Sequence, residues 1–166
     1  MPWEFNQTTG QLRHDGVLVG TGYSGAGMNG ATGRNNPAMQ AMGNAGPIPA
    51  GYWQIGAAAY SPNTGPNTIT LTPVGHNAFG RTAFRIHGNN TTNNASHGCI
   101  IMPPAVRLQI INSGDTVLIV VPGTPAPTPA PTPAPPPCKA AAAPAARAPT
   151  RRRVCRPTPI RWRCRP

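Results

Sequence analysis

Apolar and polar positions alternate in three short runs at the start of the chain. Trp3–Asn6, Gln11–His14 and Val17–Thr21 read as strands, separated by Thr9-Gly10 and Asp15-Gly16. Asp-Gly between apolar runs is a strong hairpin signal, because both residues tolerate the backbone angles of a tight turn. The alternation then lapses. Gly, Asn, Ala and Met dominate residues 22–46, which predicts loop with one short helix over Pro37–Met42. Pro47-Ile-Pro49 forces extended backbone. Strands are expected over Gly51–Ala58 and Thr68–Leu71, with Ser61–Pro66 turning between them, and again over Ala83–His87. The polar stretch Asn89–Asn94 has no apolar anchor and reads as loop. Pro103-Pro104 opens a helix, since early helical positions need no N–H donor. Val106, Ile110 and Ile111 give that helix an apolar face, Gly114 ends it, and Thr116–Val121 is a last strand. Many short strands with Gly, Pro and Asn turns predict a mainly β domain, a sandwich or barrel with one or two short helices.

Composition divides the chain near Pro122. Residues 1–121 hold five basic and three acidic residues, and the remainder holds nine basic and no acidic ones. The net charge of +11 is thus mostly a property of the C-terminal part. Residues 122–137 repeat Pro-Ala-Pro-Thr and read as an extended polyproline-type linker. Residues 138–166 combine Ala, Pro and Arg with too few apolar side chains for a core, so a disordered basic tail is expected there. Its charge suits electrostatic contact with an anionic envelope, and Trp162 between arginines suits a membrane surface. No fold for specific nucleic-acid binding is visible. No apolar run is long enough for a transmembrane segment. Met1–Asn6 lacks the basic and apolar regions of a Sec-type signal, so another export route is expected.

Cysteine usage points to chemistry. Cys138, Cys155 and Cys164 lie in the tail, with spacings unlike zinc-site pairs, and any one disulfide among them leaves an odd thiol. Cys99 is the single cysteine of the domain. It follows Ser96-His97-Gly98, and His87-Gly88 ends the strand upstream. A thiol of ordinary pKa, roughly 8.5, needs a neighbouring imidazole to be a nucleophile at neutral pH. Gly88 lets the loop leave the strand sharply, bringing His87 toward Cys99. Gly98 permits a tight turn, and the N–H groups of Gly98 and Cys99 are candidate oxyanion donors. Two other readings stand beside this one. Cys99, His87 and His97, with His76, could ligate a metal. A non-catalytic wall- or envelope-binding module could owe its affinity to the basic tail. His14 and His76 read as surface loop residues.

His87-Gly88 followed by Ser96-His97-Gly98-Cys99-Ile100 resembles the signature of the YkuD-like L,D-transpeptidases: His-Gly, a variable loop, Ser-x-Gly-Cys and an apolar residue. Further blocks resemble the branch delivered as type VI secretion effectors. They are Trp3, Gly20–Gly25, Asn36-Pro37, Gly46–Tyr52, Leu71–Pro73 and Phe79–Arg81, in that order. The resemblance implies a catalytic domain over residues 1–121 with Cys99 as nucleophile, His87 as base and the Gly88 carbonyl orienting that histidine. It also implies that Ser96, His97 and Gly98 line the site, and that Tyr23 and Arg81 contact substrate. The implied substrate is the peptidoglycan tetrapeptide stem, with a Cys99 thioester as intermediate and no metal or organic cofactor. Action in the periplasm of a target bacterium and a cognate immunity protein are implied as well. Eleven residues separate His87 from Cys99, fewer than in many wall-building relatives, and Ile101-Met102 replaces their usual Arg or Asn. These departures favour trimming of stems over cross-linking.

Overall fold

The alternation at the start of the chain becomes a buried face. Trp3 and Phe5 are buried while Glu4 between them is exposed, and Leu118 and Val120 repeat the pattern on the strand alongside. Burying side chains of this size stabilises the fold by about 1.5–3 kcal/mol each. This computed structural model describes residues 2–27 and 32–123. From residue 124 on, the expected linker and basic tail lie outside the described residues.

β1 (Trp3–Asn6), β2 (Gln11–His14) and β3 (Val17–Thr21) form an antiparallel meander with the expected boundaries. β4 (Tyr23–Ser24) follows after Gly22. β5 (Gly51–Ser61) and β6 (Gly65–Val74) make a long hairpin. β7 (Arg85–His87) and β8 (Ile100–Ile101) run parallel to each other. α1 (Pro104–Ser113) leads into β9 (Val117–Val121), which lies between β1 and β5. Among the described residues the strands form one sheet in the order β3-β2-β1-β9-β5-β6-β7-β8-β4. Its two ends, β3 and β4, are joined by Gly22 alone, so the sheet rolls into a nearly closed barrel. Gly22 has no substitute at that seam: a Cβ there would lie 1.8 Å from the Ile101 carbonyl oxygen.

The mainly β expectation holds, with local corrections. The helix expected over Pro37–Met42 is a single 3₁₀ turn, Pro37–Met39. β5 and β6 run further than their apolar pattern, because the outer part of the hairpin extends into solvent, where Tyr60 is 74% exposed. The strand expected from Ala83 begins at Arg85, since Ala83 adopts a positive φ of 63°. On α1, Ile111 is 37% exposed and Arg107 takes a buried place beside Val106 and Ile110. Its guanidinium Nη1 donates to the carbonyls of Pro66 and Asn67, which offsets part of the cost of burial. Gly114 ends the helix in the left-handed conformation, as expected. His14 is not a loop residue: it sits on β2, stacks on Trp3 at 4.1 Å and lies 2.6 Å from Asp115. His76 is in a bend but packs edge-on against Trp53.

Candidate active site

Parallel pairing of β7 with β8 sets His87 opposite Ile101 and Ile86 opposite Ile100. Cys99, immediately before β8, therefore falls beside Arg85 of the neighbouring strand. The thiol also lies 3.8 Å from the carbonyl oxygen of Ala83. Two-residue strands such as β8 are too short to carry an apolar pattern, but this one puts the cysteine next to the histidine strand.

His87 is buried, and its Nδ1 is 2.8 Å from the Gly88 carbonyl oxygen. A carbonyl can only accept, so this bond places the ring proton on Nδ1 and leaves the lone pair on Nε2. Burial lowers the His87 pKa, the Gly88 contact works against that, and the charges of Arg107 and Arg85 lower it further. Burial raises the Cys99 pKa, partly offset by the Arg85 N–H and by the charges of Arg85 and Arg81. Both shifts favour a neutral thiol and a neutral imidazole over a resting ion pair.

The turn carrying Cys99 hangs on two buried hydroxyls. Ser96 Oγ donates to the Cys99 carbonyl at 2.6 Å and accepts from the N–H groups of Gly25 at 2.9 Å and Gly98 at 3.1 Å. Ser24 Oγ donates to the Gly98 carbonyl at 2.9 Å and accepts from Ile48 N–H at 2.7 Å. The Gly98 N–H is thus taken up by Ser96. Gly98 has φ +138°, and a Cβ there would meet Arg81 Nη2 at 2.2 Å, so the turn requires glycine.

The residues named from sequence fall in three adjoining cavities. Cys99, Gly98, His97 and Arg81 line one of about 340 Å³. His87, Gly88 and His97 line a second of about 460 Å³. Tyr23 and Gly88 line a third, so Tyr23 and Arg81 do not share a cavity. His97 is exposed between the first two. The polar atoms of Tyr23 and Arg81 are engaged within the protein. Tyr23 Oη donates to Asn89 Oδ1 at 2.6 Å and accepts from Ala95 N–H at 3.0 Å, tying down the loop between His87 and Cys99. Arg81 donates to the carbonyls of Gln40, Gly46, Pro47 and His97, tying three chain segments together beside the thiol.

Sequence reasoning passed over Ser24, Arg34 and Arg107. Ser24 lies inside the Gly20–Gly25 block but drew no role of its own, because its partners are distant in the chain. The arginines had one: they are two of the five basic residues in a domain with three acidic ones. Among the described residues no three His, Cys, Asp or Glu side chains come together as a metal site.

No curated protein and no solved structure matches the chain. A family model, the Tlde1 domain, matches residues 19–118. That span runs from β3 into β9 and contains His87, Ser96 and Cys99. The chain therefore belongs to the Tlde1 domain family, the type VI secretion effectors of the L,D-transpeptidase type.

Proposed function

We propose that this domain is a cysteine L,D-carboxypeptidase of peptidoglycan, trimming tetrapeptide stems through a thioester on Cys99. The observation that carries the reading is the His87 Nδ1–Gly88 carbonyl bond, which leaves Nε2 as a base on the strand next to Cys99. Nε2 takes the thiol proton as sulfur attacks the carbonyl carbon before the terminal D-alanine. The tetrahedral oxyanion is met by the Cys99 N–H, since Ser96 occupies that of Gly98. The imidazolium returns its proton to the leaving amine, the C–N bond breaks, and D-alanine departs. Water, deprotonated by the same nitrogen, then hydrolyses the thioester; an amine in its place completes exchange or cross-linking. The neutral resting pair suits this order, because the proton moves only when substrate is in place.

The family supports delivery by type VI secretion against other bacteria, with peptidoglycan as the target. On this reading the enzyme works in the target's periplasm, and the producer carries an immunity protein. The test is digestion of purified tetrapeptide muropeptides followed by mass analysis. The expected result is loss of one D-alanine with the wild type and none with Cys99→Ala. A folded wild-type protein that binds muropeptides and releases nothing would sink the reading in favour of a wall-binding module.

A further inference from the structure

One cavity carries positive charge that the proposed reaction does not use. It encloses about 610 Å³, within the range of small-ligand pockets, where the β3–β4 junction, the loop after His87 and the start of α1 meet. Arg34 and Arg107 both line it, and among the described residues no Asp or Glu does.

Both arginines are fixed rather than free. Arg107 is 4% exposed and its buried Nε has no hydrogen-bond partner among the described residues. Its Nη2 lies 3.2 Å from where a Gly88 side chain would begin. The Arg34 guanidinium stands 3.6 Å above the Tyr23 ring and donates to the Asn93 carbonyl, and its buried Nε is likewise unpartnered. Pro103 and Pro104 bring the positive end of α1 to the same wall. A buried Arg107 and a half-buried Arg34 in one cavity without a carboxylate favour an anion there, and planar guanidinium forks match a carboxylate.

Position indicates whose carboxylate it is. This cavity shares Gly88, Asn89 and Arg107 with the one lined by His87, which shares His97 with the one lined by Cys99. The cavities thus form a run from thiol to imidazole to arginine pair. We propose that the Arg34–Arg107 cavity is a subsite for a side-chain carboxylate of the peptide substrate, remote from the carbonyl that Cys99 attacks. It rests on the reading of Cys99 and His87 as the reacting pair. The subsite holds charge and takes no part in bond making.

Binding to full-length Cys99→Ala, measured by calorimetry, tests this without turnover. Two synthetic tetrapeptides are compared, alike at the C-terminus, one with free side-chain carboxylates and one with those groups amidated. Amidation is expected to weaken binding about tenfold or more, the loss of a charge-assisted hydrogen bond. Arg34→Gln, added to Cys99→Ala, is expected to erase the difference between the peptides. Arg107→Gln disturbs buried contacts, so Arg34→Gln and the ligand comparison carry the test. Inorganic phosphate is expected to compete weakly. Equal affinity for the two peptides, or phosphate that displaces the acidic peptide at equal concentration, overturns the proposal. Charge-dependent binding by a wild type that releases no D-alanine keeps the subsite and removes the acyl-transfer reading. Equal KM for trimming both peptides does the reverse.

Discussion

Ser96 Oγ donates to the backbone carbonyl of Cys99 at 2.6 Å, so the serine holds the cysteine by its main chain. The same oxygen accepts two N–H groups, which makes it the hub of the turn. Ser96→Ala would strand these buried groups, each at a cost of about 1–3 kcal/mol. The expected outcome is a lower denaturation midpoint together with a loss of D-alanine release. Wild-type stability in this variant would remove Ser96 from the frame of the site.

The pKa shifts set a pH signature. Burial pushes the Cys99 thiol up, so alkylation by iodoacetamide should rise with pH and reach half-maximum above the ordinary value, roughly 8.5. Burial pushes His87 down, so the neutral base persists to lower pH than a solvent-exposed imidazole, with its ordinary value of about 6.5. D-alanine release should therefore hold on the acid side of that value. An alkylation plateau from pH 5 upward would reveal a resting thiolate and contradict the neutral pair. His87→Ala should abolish release while the purified protein keeps its fold by circular dichroism.

Arg81 acts by charge and by geometry, and two substitutions separate these. Arg81→Lys keeps the charge but cannot serve four carbonyls, so it should lose stability, about 1.5–3 kcal/mol for hydrogen bonds to a charged group. Arg81→Gln also removes the charge that lowers the Cys99 pKa. The thiol titration should move further up in Arg81→Gln than in Arg81→Lys. Identical titrations would leave Arg81 with a framing role alone.

A chain ending at Gly123 keeps the bond from Thr8 Oγ1 to the Pro122 carbonyl, and with it every strand found among the described residues. It should retain turnover on small soluble muropeptides. Its binding to anionic vesicles should be weaker than that of the full chain, which has nine further positive charges after residue 121. The difference should shrink as salt rises from 0.1 to 1 M, where the Debye length falls from about 10 to about 3 Å. Equal vesicle binding by both proteins at low salt would make the tail a passive extension.

The first three strands were legible to the residue, because one face of β1 and of β2 meets the core and Asp15-Gly16 marks the turn into β3. The ends of α1 were legible from Pro103-Pro104 and Gly114, and of its expected apolar face Val106 and Ile110 are buried while Ile111 is not. Arg107 goes inward to carbonyls at the start of β6, a partner that helical periodicity cannot show. β4 and β8 were invisible, since two residues make no pattern. At the site, His87, Gly88 and Cys99 stood out through a local motif. The double engagement of Gly98 and the carbonyl net of Arg81 depend on residues far apart in the chain, which a linear reading does not bring together.

The last strand of the domain is also a central one. β9 lies parallel to β1, more than a hundred residues earlier, and antiparallel to β5. Until residue 121 is available, the β1–β3 meander and the β5–β6 hairpin each present an unpaired edge to other chains. Long-range pairing of this kind slows folding, because the loop must close before any contact rewards it. Pairing of β9 thus completes the sheet, and a chain halted before Val117 carries His87 and Cys99 with no finished sheet to hold them.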